Sequence, residues 1–274
     1  MVRKGTVLLL LGVCMFSFAS IGHSANDEYG KIKQWISQLS DSNTRSVAKS
    51  ELIAAKDRAT PDLVNALRAG HMKTTVMIDI IEIFKANKTK DAAPVLRTMT
   101  NEPMMRVRLE AIRALGILDD KESSGIFKTA LSDYEEIVRL AAITSLMDIN
   151  DTSSVPDIIN SLSDMSPAVR IKAMDALAFF KDRSAIPASI QASNDRVDAV
   201  AVRAIQFLSN FNDKEVVDAL IERLSSRSKM VRANAIQALA KIKDISTLIK
   251  IEPMLQDESA MVRDAAKNAV ATMK

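Results

Sequence analysis

The sequence predicts an all-α fold, a right-handed α-solenoid (α–α superhelix) of about eight two-helix repeats, each 31 residues long. Three observations predict it. Aromatic residues make up 4% of the 274 residues and glycine and proline number seven each, a composition that favours helices over strands. A phrase built on Val-Arg, then Ala, then Leu recurs at a nearly constant spacing. Within most copies, Val, Ala and Leu stand at relative positions 0, 4 and 8, which is one face of a helix.

The chain opens on a segment of another kind. "MVRKGT" carries two positive charges, "VLLLLGVCMFSFASIG" is apolar, and "HSAND" turns small and polar, the layout of a secretory signal peptide. The expected leader is 1–25, cleaved at Ala25, and the expected mature chain is a single solenoid over 26–274, exported to the periplasm or beyond. The apolar run falls short of the ~20 residues that span a bilayer. The alternative is an envelope-anchored structural lipoprotein, lipidated at Cys14 in "LGVC". Cys14 is the sole cysteine, so a mature chain would have no disulfide. Loss of Arg3 and Lys4 takes the formal charge from +3 to +1. A near-neutral chain without a basic block excludes phosphate-driven nucleic-acid binding.

The repeats follow in order. Copies start at Val107, Val138, Val169, Val231 and Val262, with spacings of 31, 31, 62 and 31. The double gap holds a copy at Val200, in which Ala201 replaces the arginine and Val202-Arg203 lies two residues out of register. Val76 begins an earlier copy without the arginine, and Thr44 another at a spacing of 32. In the later second helices a further apolar residue stands at position 11, as in Ile149, Phe180, Phe211 and Ile242. The first helix is periodic too: "VPDIINSL" offers Val155, Ile158, Ile159 and Leu162. Pro94, Pro156 and Pro187 share one column near its start, where a missing N–H costs little. Asp120, Asp151, Asp182, Asp213 and Asp244 open the first helix of the later copies, as helix caps.

The paired helices and the 31-residue period resemble HEAT repeats, closest to the short HEAT-like repeats of phycobilisome lyases, over about 90% of the chain. The resemblance implies that an Asp and an Arg form a ladder between adjacent repeats. The arginine column is Arg108, Arg139, Arg170, Arg232 and Arg263. Six residues earlier stand Glu102, Asp133, Asp164, Ser226 and Asp257. Asp195 in the same acid column faces Ala201 and is expected to lack a partner.

Chemistry is sparse. His71 is the one histidine outside the leader, so neither a thiolate–imidazole pair nor a His-rich metal site is expected. No glycine-rich phosphate loop occurs. Deoxyhypusine hydroxylase resembles this architecture but holds iron on His-Glu pairs, and none occurs here. Bilin lyases, which also resemble it, act inside the cell. Met99, Met104 and Met105 read as packing residues. The expectation is a non-enzyme with no cofactor and no metal; a lyase-like or other enzyme with an unrecognised site is the lesser alternative.

The resemblance further implies that second helices line the concave side. Positions 3 and 6 of the motif, expected to point away from the core, supply the candidate binding residues: Asp79 and Glu82, Glu110 and Arg113, Lys172 and Asp175, Arg203 and Gln206, Asn234 and Gln237. They lean acidic early, mixed in the middle and amide late. No uniform sign suits DNA or an anionic membrane, whereas varied residues on a constant frame suit a peptide or protein partner. Membrane contact is expected only through the leader or a lipid anchor.

Overall fold

The computed structural model describes residues 29–273. The expected leader, its cleavage position and Cys14 lie outside these residues. Every regular element among the described residues is helical. No helix there is long and apolar enough to cross a membrane. The packing of the described residues divides into two compact units, 29–118 and 119–273. Sequence periodicity marks no such boundary, because an array of neighbour contacts parts between repeats without breaking any helix.

The N-terminal unit holds three helix pairs. These are α1 (29–38) with α2 (Arg45–Ala55), α3 (Thr60–Ala69) with α4 (Thr74–Asn87), and α5 (Ala93–Met99) with α6 (Met105–Ile117). The second helices stack, α2 on α4 and α4 on α6. Their buried faces follow the motif: Ala48 and Leu52 in α2, Val76, Ile80 and Phe84 in α4, Val107, Ala111 and Leu115 in α6.

The C-terminal unit holds five pairs. The first helices are α7 (Ser124–Ala130), α9 (Val155–Asn160), α11 (Ile186–Ala192), α13 (Lys214–Arg223) and α15 (Leu248–Ile251). The second helices are α8 (Glu136–Asp148), α10 (Pro167–Phe180), α12 (Asp198–Leu208), α14 (Lys229–Ile242) and α16 (Ala260–Met273). The second helices again stack in sequence. Val169, Ala173 and Leu177 of α10 are fully buried, as are Val200, Ala204 and Leu208 of α12. Small Ala at the middle position lets neighbouring helices approach closely. Burying a Val or Leu side chain contributes about 1.5–3 kcal/mol, so this column is the main source of cohesion.

Two local features differ from the periodic pattern. Several first helices do not start at their aspartate. Asp151, Asp182 and Asp244 accept the backbone N–H of Ser153, Ser184 and Ser246, two residues on, and a 3₁₀ turn comes first. The α-helical part begins one turn later, with Pro156 and Pro187 in its first turn. A second column escapes the sequence altogether. Lys88, Asp119, Asn150, Lys181 and Lys243, after the second helices, take left-handed φ between 51° and 61°. Glycine is the usual residue there. A side chain in that region costs roughly 1–2 kcal/mol, which the packing on both sides of the turn overcomes.

Candidate interaction surface

The arginine column is built into the turns of the C-terminal unit. Arg170 donates Nε and Nη2 to the Asp195 carboxylate at 2.7 and 2.9 Å, and Nη1 to the Asp164 and Met165 carbonyls. Arg139 does the same with Asp164, at 2.7 and 2.9 Å, and Arg232 with Asp257, both at 2.8 Å. Each aspartate also accepts a backbone N–H two residues on, from Ser166, Val197 and Ser259. One rung thus ties the turn of one repeat to the start of the next repeat's second helix. Bidentate guanidinium–carboxylate geometry with the remaining donors used is what a half-buried pair requires.

The expectation for Asp195 is corrected: its partner is Arg170, one repeat earlier. A rung arginine such as Arg170 has an acid six residues before it and another 25 residues after it. It takes the backbone carbonyl of the first and the carboxylate of the second. By that rule the vacant rung pairs Ala201 with Ser226, so both ends are non-ionic together. Burial alone pushes the Asp195 carboxyl up; the Arg170 bond and the Val197 N–H outweigh it and hold it below the ordinary range. At Asp257 the Arg232 hydrogen bond is the main cause of the same shift. Arg108 and Arg263 anchor likewise on the carbonyls of Glu102 and Pro103, and of Asp257 and Glu258.

The expected binding columns divide by unit. In the N-terminal unit ion pairs occupy the acidic members of the columns. Asp79 is buried, not solvent-facing; Lys49 donates to it at 3.1 Å and Arg45 lies at 3.4 Å. Lys49 also pairs with Glu82. Lys85 bonds Glu110 at 2.6 Å, and Arg113 closes on Glu110 at 3.0 Å. Burial opposes the charge on Lys49, but Glu82 and Asp79 outweigh it and hold its ammonium above the usual lysine range. Burial likewise opposes the Glu110 carboxylate, and Lys85 and Arg113 hold it low.

In the C-terminal unit the same columns are looser. Asp175 and Arg203 pair at 3.5 Å, Arg203 exposed and Asp175 half-buried, and Lys172 is half-buried. Gln206, Asn234, Gln237 and Lys241 line an open cleft of about 260 Å³ between α12 and α14. Lys241 reaches Asn210 at 2.8 Å, and the Asn234 amide donates to the Met230 carbonyl. Gln206 and Gln237 are exposed. Among the described residues, no group of three or more His, Cys, Asp and Glu converges as a metal site would require.

Known proteins give the following likenesses. The HEAT repeats family matches residues 123–188 and 187–271. No curated protein matches the chain. Among solved structures, E. coli YibA is 20% identical over 99% of both chains, with a TM-score of 0.60. Importin beta is 14% identical over 88% of this chain and 40% of its own, with a TM-score of 0.66. The complex of CpcE and CpcF of phycocyanin lyase from Nostoc is 17% identical over 77% of this chain and 92% of its own, with a TM-score of 0.47. At such identities likeness extends to the fold only.

Proposed function

This chain belongs to the HEAT repeats family, and from that premise we propose that it is a non-catalytic scaffold that binds a peptide or protein segment across the second helices of its C-terminal unit. One observation carries the reading. The repeat leaves positions 3 and 6 variable; ion pairs close them in the N-terminal unit, while Gln206, Asn234 and Gln237 border an open cleft in the C-terminal unit. A side-chain amide both donates and accepts, which matches the alternating N–H and C=O of an extended backbone. Lys172, Asp175 and Arg203 supply mixed charges beside it and so a preferred direction. Export is part of the proposal, supported by the charged, apolar and small-polar order of residues 1–25. The partner then resides in the envelope or outside.

Affinity capture from the envelope fraction tests the binding. The wild-type chain is expected to retain one protein near equal stoichiometry, and a Gln206→Ala/Gln237→Ala variant with unchanged melting temperature is expected to lose it. Capture of no stoichiometric protein, or equal capture by the variant, overturns the reading. Mass spectrometry of the mature chain tests export: a first residue near Asn26 is expected, and a retained Met1 or a lipidated Cys14 would exclude the cleavage.

A further inference from the structure

The cleft between α12 and α14 holds a cation whose partners are all neutral. Lys241 donates to Asn210 Oδ1 at 2.8 Å and to Ser209 Oγ at 3.3 Å. Both acceptors are themselves fixed. Asn210 Nδ2 donates to the Gln206 and Phe207 carbonyls, and the Ser209 hydroxyl donates to the Gln206 carbonyl. An ammonium has three donors, so two are held and one is left for a ligand. Other cations on second-helix faces end on carboxylates: Lys49 on Asp79 and Glu82, Lys85 on Glu110, Arg203 on Asp175, and Lys267 on Asp264. Lys241 forms no ion pair among the described residues.

Charge in this cleft has one sign. No acid is among the residues that line it. Asp198 opens α12 and accepts from Ser228 Oγ at 2.6 Å; beyond it, neither helix carries an Asp or Glu. The acids that follow the two helices are engaged as well. Asp213 pairs with Arg183 at 2.6 Å, and Asp244 accepts the Ser246 N–H and hydroxyl. We infer, resting on the binding cleft proposed above, that Lys241 selects the bound segment by taking the side-chain carboxylate of one Asp or Glu in it, while Gln206 and Gln237 take its backbone. Gln206 and Gln237 hold the same motif position in consecutive helices, so the segment runs across the helices and passes over the cleft. Its carboxylate is therefore a side chain and not a C-terminus. One cation among amides gives the phosphate row of a nucleic acid or an anionic membrane no second anchor.

The test pans a library of random peptides, displayed with their C-termini fused to the carrier, against the full chain. The wild-type chain is expected to enrich peptides with Asp or Glu at one fixed position. Lys241→Met is expected to enrich peptides without that preference, Lys241→Arg to keep it, and Lys241→Glu to favour Lys or Arg there. The best peptide, labelled with fluorescein and read by anisotropy, is expected to weaken roughly three- to tenfold when its acid becomes the amide, less at high salt, and not at all on Lys241→Met. Lys241→Gln repeats the measurement should the methionine variant melt early. Peptides that need Gln206 and Gln237 but show no acid preference, or whose preference survives Lys241→Met, overturn the inference and leave the cleft standing. Peptides bound equally by the Gln206→Ala/Gln237→Ala variant overturn the cleft, and the inference with it. Two further results overturn the inference: a preference that synthetic peptides show only for a free C-terminus and lose on amidation, and displacement of the peptide by phosphatidylserine vesicles but not by phosphatidylcholine vesicles.

Discussion

The N-terminal unit joins its repeats by lysines and arginines that reach across stacked helix faces; the C-terminal unit joins its repeats by arginines enclosed in turns. The residues at the motif positions explain the contrast. Met77 stands where the motif arginine would be in α4, and His71 stands in the acid column before it. Arg45 keeps the carbonyl anchor on Leu39, six residues back, and turns its charge to Asp79. Lysine point charges then complete the face, with side chains 23–25% exposed at Lys85 and Lys49 against 6–8% at the rung arginines. A planar fork in a dry turn has one geometry, while an ammonium on a long stem has several. Register is thus specified more tightly in the unit that also carries the open amide cleft.

Breaking one rung should have the largest effect. Arg170→Ala strands a half-buried carboxylate and two turn carbonyls, and is expected to cost about 3–5 kcal/mol in chemical denaturation. A loss under 1 kcal/mol would make the rung a passenger. The same pairs give the unit an acid limit. Asp195 and Asp257 titrate below their unfolded value of about 3.9, so their contribution is complete above that pH and fades as pH falls through the lower folded values.

The vacant rung sharpens the contrast next. Ala201→Arg alone buries an unpaired guanidinium and should destabilise; adding Ser226→Asp should recover that loss, with a coupling of about 1–3 kcal/mol in a double-mutant cycle. Additive effects would show that the turn cannot accept a rung there.

Alkali should separate the units. Lys49 titrates above its unfolded value of about 10.4, so its contribution holds below that pH and disappears as pH rises through the folded value, whereas arginine stays charged. Trp35, the sole tryptophan, reports on the N-terminal unit by fluorescence. Its signal should change in alkali before helical circular dichroism does, and Lys49→Met should remove part of that sensitivity at a cost near 0.5–1 kcal/mol. Simultaneous loss of both signals would deny the difference.

The smallest effect concerns a feature outside the motif. Lys181→Gly relieves a left-handed residue and is expected to add up to about 1 kcal/mol, after the entropy that glycine loses on folding.

Residues that repeat were legible, and geometry that depends on which copy supplies the partner was not. The faces of Val169, Ala173 and Leu177 follow from spacing alone, since burial needs only the helical period. Asp195 was misread because the same periodic column offers Arg139 and Arg170 two acids each, and only backbone direction decides between them. Asp79 is as acidic as a surface residue in sequence, and its burial comes from Arg45 and Lys49, about one repeat away. The left-handed column carries no signal, because Lys, Asn and Asp fill it instead of glycine. Amides at Gln206 and Gln237 were legible as variable positions; the cleft they border needed the side-by-side helices.

The forward reach of each rung makes the chain editable by whole periods. Excising residues 140–170 would bring Asp195 to the place Asp164 left, 25 residues after Arg139, and the splice would heal its own ion pair. Excising 171–201 would instead deliver Ser226 to Arg170 and leave the guanidinium facing a hydroxyl. Removing two periods, 171–232, would deliver Asp257 and restore the match. Repeat number in this unit is therefore governed by a grammar: a cut is silent or costly according to whether the residue that arrives is an aspartate.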